Sequence, residues 1–137
     1  MLKIKKLRET AILPRRGSKY AAGYDLIIDE QLSIGEGLHK IPLGFAIEIP
    51  KNHYARIACR SSLAAAGFSV EAGVVDEDYK GEIMVMLRCR KAAHLFLKGS
   101  KIAQMIITPY ASLEVLEVGE LLDTERGTGG FGSTDKK

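Results

Sequence analysis

Three consecutive carboxylates, Asp76–Asp78, stand directly before Tyr79. Carboxylates are ionised at neutral pH, so they can act as general bases toward water or take part in binding Mg²⁺. Two valines precede the acids and an apolar run, residues 83–87, follows them, and this pattern predicts a tight hairpin over Ala72–Glu82. The acids could equally form a solvated hairpin tip, so residues elsewhere in the chain must decide between the two interpretations.

A glycine-rich segment near the C-terminus is a second candidate site. It has four glycines between positions 127 and 132, together with Arg126, Phe131 and several hydroxyl side chains. The exposed backbone N–H groups of such a segment can cradle a phosphate chain, and the ring of Phe131 could stack on a base or a sugar. The segment lacks the GxxxxGK[ST] pattern of a Walker A loop, and a floppy terminus is the alternative interpretation.

Two further polar groups stand in segments with predicted secondary structure. Arg60, Ser61 and Ser62 precede or begin the one predicted helix, Ser61–Gly67. An arginine and two hydroxyls at a helix N-terminus can bind an anion, and a plain serine N-cap is the alternative. Gln104 lies inside an apolar strand, where a buried amide needs either a backbone partner or a ligand.

The composition limits the function classes. The chain has 137 residues, of which 46% are hydrophobic and 27% charged, which predicts one globular domain. A net charge of +3 is too small to predict nucleic-acid binding, and no apolar run approaches the ~20 residues of a membrane span. No signal peptide is recognisable, so we expect a soluble intracellular protein of the cytoplasm or nucleus. Cys59 and Cys89 lie within predicted strands without metal-ligand spacing, which predicts buried, reduced thiols.

Short apolar or alternating segments separated by turn residues predict many strands. The predicted strands are residues 1–13 at a sheet edge, 24–28, 43–49, 54–60, 68–75, 83–90, 102–107 and 113–118, whereas the glycines within residues 34–41 predict a turning segment. With a single short helix, this pattern predicts an all-β sandwich or barrel.

Five segments resemble, in order, the five sequence motifs of the trimeric dUTPases. The segments are Ala21-Ala22-Gly23-Tyr24-Asp25-Leu26, Arg60-Ser61-Ser62-Leu63-Ala64, Gly73–Glu82, Gly99-Ser100-Lys101-Ile102-Ala103-Gln104 and Arg126–Thr134. One such segment would be a weak signal, but five in order at family-like spacing over nearly the whole chain are specific.

The resemblance implies an all-β, jelly-roll-like distorted β-barrel of the β-clip type with one short helix, assembled as a homotrimer. It implies a barrel domain over residues 1–125 and a flexible tail over residues 126–137, which closes over an active site between subunits. The family hydrolyses dUTP to dUMP and pyrophosphate with Mg²⁺, which limits uracil in DNA and supplies dUMP for dTMP synthesis. We expect neither nucleic acid nor a membrane as a partner.

The resemblance also implies a role for each matching residue. Asp76 would be the general base that activates the water attacking the α-phosphorus. Tyr79 would pack under the deoxyribose and exclude a ribose 2′-hydroxyl, and the backbone of Gly73, Val74 and Val75 would read the uracil edge. The remaining implied contacts are those of Arg60, Ser61, Ser62 and Gln104 with the phosphates, Asp25 with Mg²⁺ through water, Arg126 with the γ-phosphate, Phe131 with the uracil by stacking, and Gly132 and Ser133 with the substrate.

Three positions depart from the family pattern. Ser62 stands where the family usually has glycine, Ser100-Lys101 replaces a common Asp-Arg, and Asp135 stands where a glycine commonly ends the tail motif. None of these changes removes an implied catalytic group, so they bear on rate and tail closure more than on the type of reaction.

Two other functions compete with dUTP hydrolysis. The dCTP deaminases have a similar fold and also favour Arg-Ser-Ser-Leu-Ala, but they carry a proton-shuttling glutamate where this chain has Met86. A protein that uses the dUTPase fold only for interaction is the second alternative. The presence of Asp25, Asp76, Tyr79 and Arg126 argues against a pure loss of chemistry.

Overall fold

The structure of the chain is a computed structural model that describes residues 1–132. Within these residues the chain forms nine strands and one helix. The strands are β1 (Lys3–Lys6), β2 (Tyr24–Ile27), β3 (Leu32–Pro42), β4 (Phe45–Glu48), β5 (His53–Ala58), β6 (Phe68–Val70), β7 (Val74–Val75), β8 (Met84–Phe96) and β9 (Lys101–Pro109), and the helix is α1 (Ser61–Ala65). Ser133 and Asp135, on which predictions were made above, lie outside the described residues.

The strands form three antiparallel sheets, with the orders β2-β9-β5-β7, β3-β8-β6 and β1-β4. The longest pair, β3 with β8, runs from Leu32 opposite Phe96 to Pro42 opposite Met84. The predicted all-β class with one short helix is confirmed. In the described part of the chain the three sheets do not join into one closed barrel.

The hydrophobic core lies between the sheets and follows the two-residue alternation of the strands. On β8, Val85 and Leu87 are fully buried, while Met84 and Met86 lie half-buried on the opposite face. Phe45 on β4 is also fully buried. Each such side chain contributes about 1.5–3 kcal/mol when it is buried, and a shift of one residue would turn the whole set outward. Burial therefore fixes the register that positions the loops at the strand ends.

The helix α1 has only five residues, Ser61–Ala65. Its N-cap is Arg60 with extended backbone, and no side chain caps the first turn, so the interpretation of a serine as N-cap is wrong. Gly67, with φ of 96°, follows the C-cap residue Ala66 and ends the helix as predicted. Within residues 1–132, no helix has the length and apolar character needed to cross a membrane.

The predicted hairpin over Ala72–Glu82 is wrong. β7 pairs with β5, through Val75 opposite Ala55, whereas β8 pairs with β3 and β6. The chain leaves the β8 sheet at the end of β6 and crosses to the other sheet through Ala72 and Gly73, whose φ values are 56° and 92°. The acidic segment after Val75 is therefore a loop that connects two sheets.

Two further assignments are corrected. Residues 34–41 belong to the strand β3, and their glycines produce a register shift between Gly35 and Gly37 rather than a turn. The predicted strand over residues 113–118 is not formed, since every residue from 109 to 128 is exposed and Val115 is 100% exposed. A β-rich sequence needs a partner strand, and no strand within residues 1–132 pairs with this segment.

Both cysteines are free thiols, but only Cys89 is buried within a strand. Cys59 follows the end of β5 by one residue and is half-buried. Burial raises the pKa of the Cys59 thiol, so this residue stays protonated at neutral pH.

An ion network joins distant segments of the chain, and we name it the Arg8 network (Arg8, Thr10, Asp29, Gly44 and Glu82). Arg8 Nε and Nη2 donate to the two carboxylate oxygens of Asp29 at 2.7 and 2.8 Å, and Thr10 Oγ1 donates to the same carboxylate at 2.6 Å. The Asp29 side chain is only 4% exposed. The hydrogen bonds from Arg8 hold the pKa of Asp29 well below its usual range, although burial acts in the opposite direction.

The stability that Asp29 contributes is expected to be present at neutral pH and to be lost in acid. The unfolded chain takes up this proton near the ordinary aspartate pKa of about 4, whereas the folded chain does so only at lower pH. We expect Asp29→Asn to lower the free energy of unfolding by about 2 kcal/mol at pH 7 and to weaken its dependence on pH between about 5 and 3. Urea unfolding at a fixed protein concentration measures both effects.

Glu48→Gln is the matched control for Asp29→Asn. Glu48 pairs with Lys3 at 3.4 Å, and the two side chains are 58% and 77% exposed, so their ion pair contributes little to stability. The control should leave the free energy of unfolding nearly unchanged. The same dependence on pH in the wild type and in Asp29→Asn would contradict the assignment of acid sensitivity to this carboxylate.

Candidate active site

The loop after β7 presents two carboxylates without a partner within residues 1–132, Asp76 and Asp78, of which Asp76 was predicted to be the general base. Glu77 accepts hydrogen bonds from Asn52 N at 2.5 Å and from Tyr110 Oη at 3.1 Å, which ties the loop to the rest of the chain. The Asp76 carboxylate is exposed and has no hydrogen-bond or ion-pair partner within residues 1–132. Of the acids in this loop, Glu77 is thus used to hold the loop, and Asp76 is available to a ligand or a water molecule.

Tyr79 is held against the end of the same loop. Its Oη donates to the carbonyl oxygen of Glu82 at 2.8 Å, and a Cβ atom added at Gly81 would lie 2.5 Å from that Oη. Only glycine at position 81 therefore lets the ring lie across the backbone. The Tyr79 side chain stays 42% exposed, so it remains accessible to a ligand.

A cavity of about 240 Å³ lies beside β7, and we name it the β7 cavity. Its lining residues are 70–76, Tyr79, 82–84, Lys40, Ile57 and Met86. β7 is the last strand of its sheet, so one of its backbone edges has no partner strand in the described residues. An edge strand presents N–H and C=O groups that can pair with a planar polar ligand. Gly73, Val74, Val75, Asp76 and Tyr79 thus meet at one cavity.

Position 73 requires glycine because the backbone there lies close to the backbone of β5. Ile57 N donates to Gly73 O at 2.7 Å, and a Cβ atom at position 73 would overlap the Ile57 carbonyl oxygen. The Gly73 carbonyl is therefore already used inside the chain. Backbone groups alternate in direction along an antiparallel strand, so those of Val75 also point toward β5 and those of Val74 point to the outer edge of β7. Of the backbone groups predicted to face a ligand, those of Val74 are therefore the best placed.

A second cavity, of about 400 Å³, gathers most of the polar residues predicted to bind phosphates, and we name it the Arg60 cavity. Its lining residues are Gly17, Ser18, Ala21–Gly23, Asp25, Arg60–Ser62, Lys101 and Gln104. The Asp25 carboxylate is 14% exposed and lies 3.7 Å from Arg60 Nε and 3.5 Å from Lys101 Nζ. Two cations, hydroxyls and an amide around a single carboxylate suit a polyanionic ligand.

Gln104 is positioned by neighbours on both sides. Its Nε2 donates to the carbonyl oxygen of Cys59 at 3.2 Å. A Cβ atom added at Gly23 would lie 2.5 Å from its Oε1, so glycine at that position makes room for the amide. The backbone partner predicted for Gln104 is thus present, and the same residue also reaches the Arg60 cavity.

Several residues at these cavities were not predicted as site residues, and two of them are charged residues with ion-pair partners. Lys101 pairs with Asp25 in the Arg60 cavity, and Glu82 lines the β7 cavity. The sequence signal for Lys101 was a basic residue directly before an apolar strand. Glu82 gave no signal of its own, because a polar residue at the start of a strand is common.

Within one chain the two cavities are separated and share no residue. Asp25 lies on β2 and Val75 on β7, at opposite edges of the four-stranded sheet. Asp25 lies opposite Gln104 of β9, which in turn lies opposite Ala58 of β5. Val75 lies opposite Ala55 of β5, three residues away from Ala58 along that strand. Three strand spacings and three residues along a strand place the Cα atoms of Asp25 and Val75 about 17 Å apart.

As far as Gly132, the last described residue, the C-terminal segment does not complete either cavity within the chain. Arg126 and Phe131 are exposed, Phe131 at 113%, and neither they nor Gly132 line the β7 cavity or the Arg60 cavity. The predicted contribution of Ser133 lies outside the described residues. The structure therefore brings together the predicted residues in two groups and leaves the described tail residues, 126–132, apart from both.

A metal site built only from protein ligands is not found in the described residues. No group of three or more His, Cys, Asp or Glu side chains within residues 1–132 could hold an ion. Among the described residues, Asp25 is the only carboxylate of the Arg60 cavity. A single carboxylate suits an ion that keeps most of its water and takes the rest of its ligands from a bound phosphate, as Mg²⁺ commonly does.

Comparison with known proteins identifies the family of this arrangement. The family model described as dUTPase matches residues 9–135. The chain is 46% identical over 137 residues to the deoxyuridine 5'-triphosphate nucleotidohydrolase of Oryza sativa subsp. japonica, with 98% of this chain and 80% of the relative covered.

Two solved structures share the fold. The dUTPase of Staphylococcus bacteriophage 80alpha with dUpNHpp gives a TM-score of 0.88 at 24% identity, with 97% of each chain covered. A dUTPase from phage phi11 of S. aureus, in a structure concerned with the coordination of a structural Mg(II) ion, gives 0.80 at 21% identity, with 88% of this chain and 97% of the other covered. These two likenesses establish the fold alone. The match of the family model and the identity to the Oryza enzyme establish that the chain belongs to the dUTPase family, the enzymes that hydrolyse deoxyuridine 5'-triphosphate.

Proposed function

We propose that Asp76 is the general base of this dUTPase and that it activates the water that attacks the α-phosphorus of dUTP, releasing dUMP and pyrophosphate. The observation that carries the proposal is the Asp76 carboxylate, which has no partner within residues 1–132 and lines the β7 cavity. A carboxylate is ionised at neutral pH and can accept the proton of a water molecule in place. The neighbouring Glu77 is occupied by two hydrogen bonds and is less suited to this role.

The β7 cavity takes the nucleoside in this proposal. The outer backbone edge of β7, at Val74, pairs with the uracil edge, Val75 holds β7 to β5, and Gly73 keeps that strand close to β5. Tyr79 lies under the deoxyribose, where its ring leaves no room for a ribose 2′-hydroxyl. The exposure of Tyr79 and its fixed Oη support this role, because a held ring can exclude a hydroxyl by contact.

The Arg60 cavity takes the triphosphate. Arg60 and Lys101 supply positive charge, Ser61 and Ser62 supply hydroxyl donors, and the Gln104 amide supplies a further donor. Phosphoryl transfer depends mainly on positioning and on neutralising the charge that spreads over the phosphate oxygens. When bound with the substrate, Mg²⁺ supplies part of that neutralisation, and Asp25 would hold the ion through its water ligands.

A complete site needs more than one copy of the chain. The Cα atoms of Asp25 and Val75 are about 17 Å apart, so the water next to Asp76 and the metal-bound phosphates next to Asp25 of the same chain cannot be in contact. We infer that the β7 cavity of one subunit faces the Arg60 cavity of another in a homotrimer. The exposed segment of residues 109–128 supports a tail that reaches a neighbouring subunit, where Arg126 binds the γ-phosphate, Phe131 stacks over the uracil and Gly132 approaches the substrate.

In the cell, this reaction would limit the incorporation of uracil into DNA and would supply dUMP for dTMP synthesis. The competing deaminase reaction is disfavoured by Met86. Its side chain lines the β7 cavity, at the place where a deaminase of this fold carries a glutamate, and a thioether cannot transfer a proton.

A panel of nucleotides tests the reaction and its selectivity. We expect the kcat/KM for pyrophosphate release from dUTP to exceed those for UTP, dCTP and dTTP by about 10²-fold or more. UTP tests the contact between Tyr79 and the sugar, dCTP tests the reading of the base edge by β7, and dTTP tests the room around C5 of the base. Equal values for dUTP and UTP would contradict the role of Tyr79, and release of ammonia from dCTP would instead support deamination.

A further inference from the structure

We propose that Glu82 is a positioning residue that sets the discrimination between deoxyribose and ribose, because it fixes Tyr79 and is itself fixed by the Arg8 network. The inference rests on the proposed function, in which the ring of Tyr79 excludes the 2′-hydroxyl. It adds a specificity determinant that lies beside the cavity and extends to the N-terminal segment of the chain.

Glu82 acts on Tyr79 through its backbone. Its carbonyl oxygen accepts the hydrogen bond from Tyr79 Oη at 2.8 Å. This is the only polar contact of the Tyr79 side chain within residues 1–132, and the ring is otherwise 42% exposed. The direction of the Glu82 carbonyl therefore determines where the hydroxyl end of the ring is held.

The peptide that carries this carbonyl is held from two sides, and the Glu82 side chain holds one of them. Its Oε2 accepts a hydrogen bond from Gly44 N at 2.7 Å and lies 3.4 Å from Arg8 Nη1. On the other side of the same planar peptide, Ile83 N–H donates to Phe45 O at 2.9 Å. The Ile83 N–H therefore restrains one side of the peptide that Tyr79 contacts, and the Glu82 side chain restrains the other side, at the Glu82 Cα atom.

Arg8 is a rigid support for Glu82. Two hydrogen bonds to Asp29 hold its guanidinium, and a third, at 3.3 Å, joins Nη2 to Pro42 O. The guanidinium also packs against the backbone of Gly44, where an added Cβ atom would lie 2.8 Å from Arg8 Nε. A bidentate arginine–carboxylate pair has little freedom to move, so the chain of contacts from Asp29 to Tyr79 is well defined.

The discrimination ratio, defined as kcat/KM for dUTP divided by kcat/KM for UTP, is the readout. A displacement of about 1 Å of a positioned group can change a rate by up to about 10²-fold. We expect Glu82→Ala to lower the ratio by about tenfold, mainly through faster turnover of UTP relative to dUTP. Glu82→Gln should lower it less, since its amide oxygen can still accept the hydrogen bond from Gly44 N.

The coupling between Glu82 and Tyr79 is tested by a double-mutant cycle. Tyr79→Phe removes the hydroxyl and keeps the ring, and it should lower the discrimination ratio by a similar factor of about ten. In the double variant, Glu82→Ala should cause no further fall, because the contact through which it acts is already absent. Glu48→Ala, which removes the exposed partner of Lys3, should leave the ratio unchanged.

The outcomes separate this inference from the proposed function. If Glu82→Ala and Glu82→Gln lower the melting temperature but leave the ratio at the wild-type value, Glu82 is purely structural and the inference is wrong. Additive falls in the double variant would also overturn it. If the wild-type chain releases no pyrophosphate from dUTP, the proposed function fails first, and the inference fails with it.

Discussion

Asp76→Asn is expected to lower the turnover of dUTP by about 10³-fold while the variant still binds dUTP. Asparagine keeps the size and shape of the side chain but cannot accept the proton of the attacking water. Binding should survive, because the β7 edge, Tyr79 and the cations of the Arg60 cavity are unchanged. Pyrophosphate release measures turnover, and titration calorimetry with dUTP at low temperature measures the dissociation constant.

Asp78→Asn is the matched control for the same loop. Asp78 is exposed, lies two residues from Asp76 and makes no hydrogen bond or ion pair within residues 1–132. The two substitutions therefore change the charge of the loop equally, and only one removes the proposed base. Turnover within about twofold of wild type is expected for the control, since an exposed carboxylate acts weakly at a distance. Retained turnover in Asp76→Asn would mean that another group is the base.

Local sequence patterns predicted most of the strands because burial alternates along them. The apolar run at the start of β8 and the alternating residues of β4 and β5 appear as strands where they were expected. Gly67 ended the helix as its backbone freedom suggests. These features depend on residues that are close to one another in the sequence, so the sequence alone is enough to predict them.

Pairing between strands was predicted less well because it depends on distant residues. The sequence from Val74 to Leu87 has the pattern of a hairpin, yet β7 and β8 lie in different sheets. The cause is the positive φ at Ala72 and Gly73, together with the fit of Gly73 against the Ile57 carbonyl, a contact that no local pattern encodes. Residues 113–118 have strand propensity, but no strand among the described residues, 1–132, pairs with them.

The candidate site was predicted as a set of residue types rather than as an arrangement. Resemblance to the family selected Asp25, Arg60 and Asp76, and the structure places the first two in one cavity and the third at another. Glu82 was missed because its contacts, with Tyr79 through the backbone oxygen and with Gly44 and Arg8 through the carboxylate, join it to residues that include some far away in the sequence. Lys101 was noted only as a departure from the family's sequence pattern, although its Nζ lies 3.5 Å from the carboxylate of Asp25.

Refolding two inactive variants together is expected to restore activity if, as proposed, each complete site of the homotrimer draws on two chains. Asp76→Asn removes the proposed base from the β7 cavity and leaves the Arg60 cavity intact. Arg60→Ala removes a phosphate-binding cation and leaves the β7 cavity intact. In homotrimers formed at random from equal amounts of both, about a quarter of the sites combine two unaltered halves, so about a quarter of wild-type turnover should return.

The experiment compares each variant alone, the two variants mixed as intact oligomers, and the two unfolded in urea and refolded together. Activity should return only after refolding together, because exchange of subunits must precede the formation of mixed trimers. A chain carrying both substitutions, refolded with wild type, is the control. In that mixture an unaltered site again requires two wild-type subunits, so the rate should be about a quarter of an all-wild-type sample at the same total protein.

The mixing experiment also distinguishes a site formed between two subunits from a site formed within one chain that changes its conformation. If one chain closed on itself to bring Asp76 to its own Arg60 cavity, every site in the mixture would carry one defect, and refolding together would restore nothing. That result would contradict a site between subunits, even if both variants were inactive alone. The distance of about 17 Å across the sheet argues against such closure, because the paired strands β9 and β5 lie between the two edges and cannot be compressed.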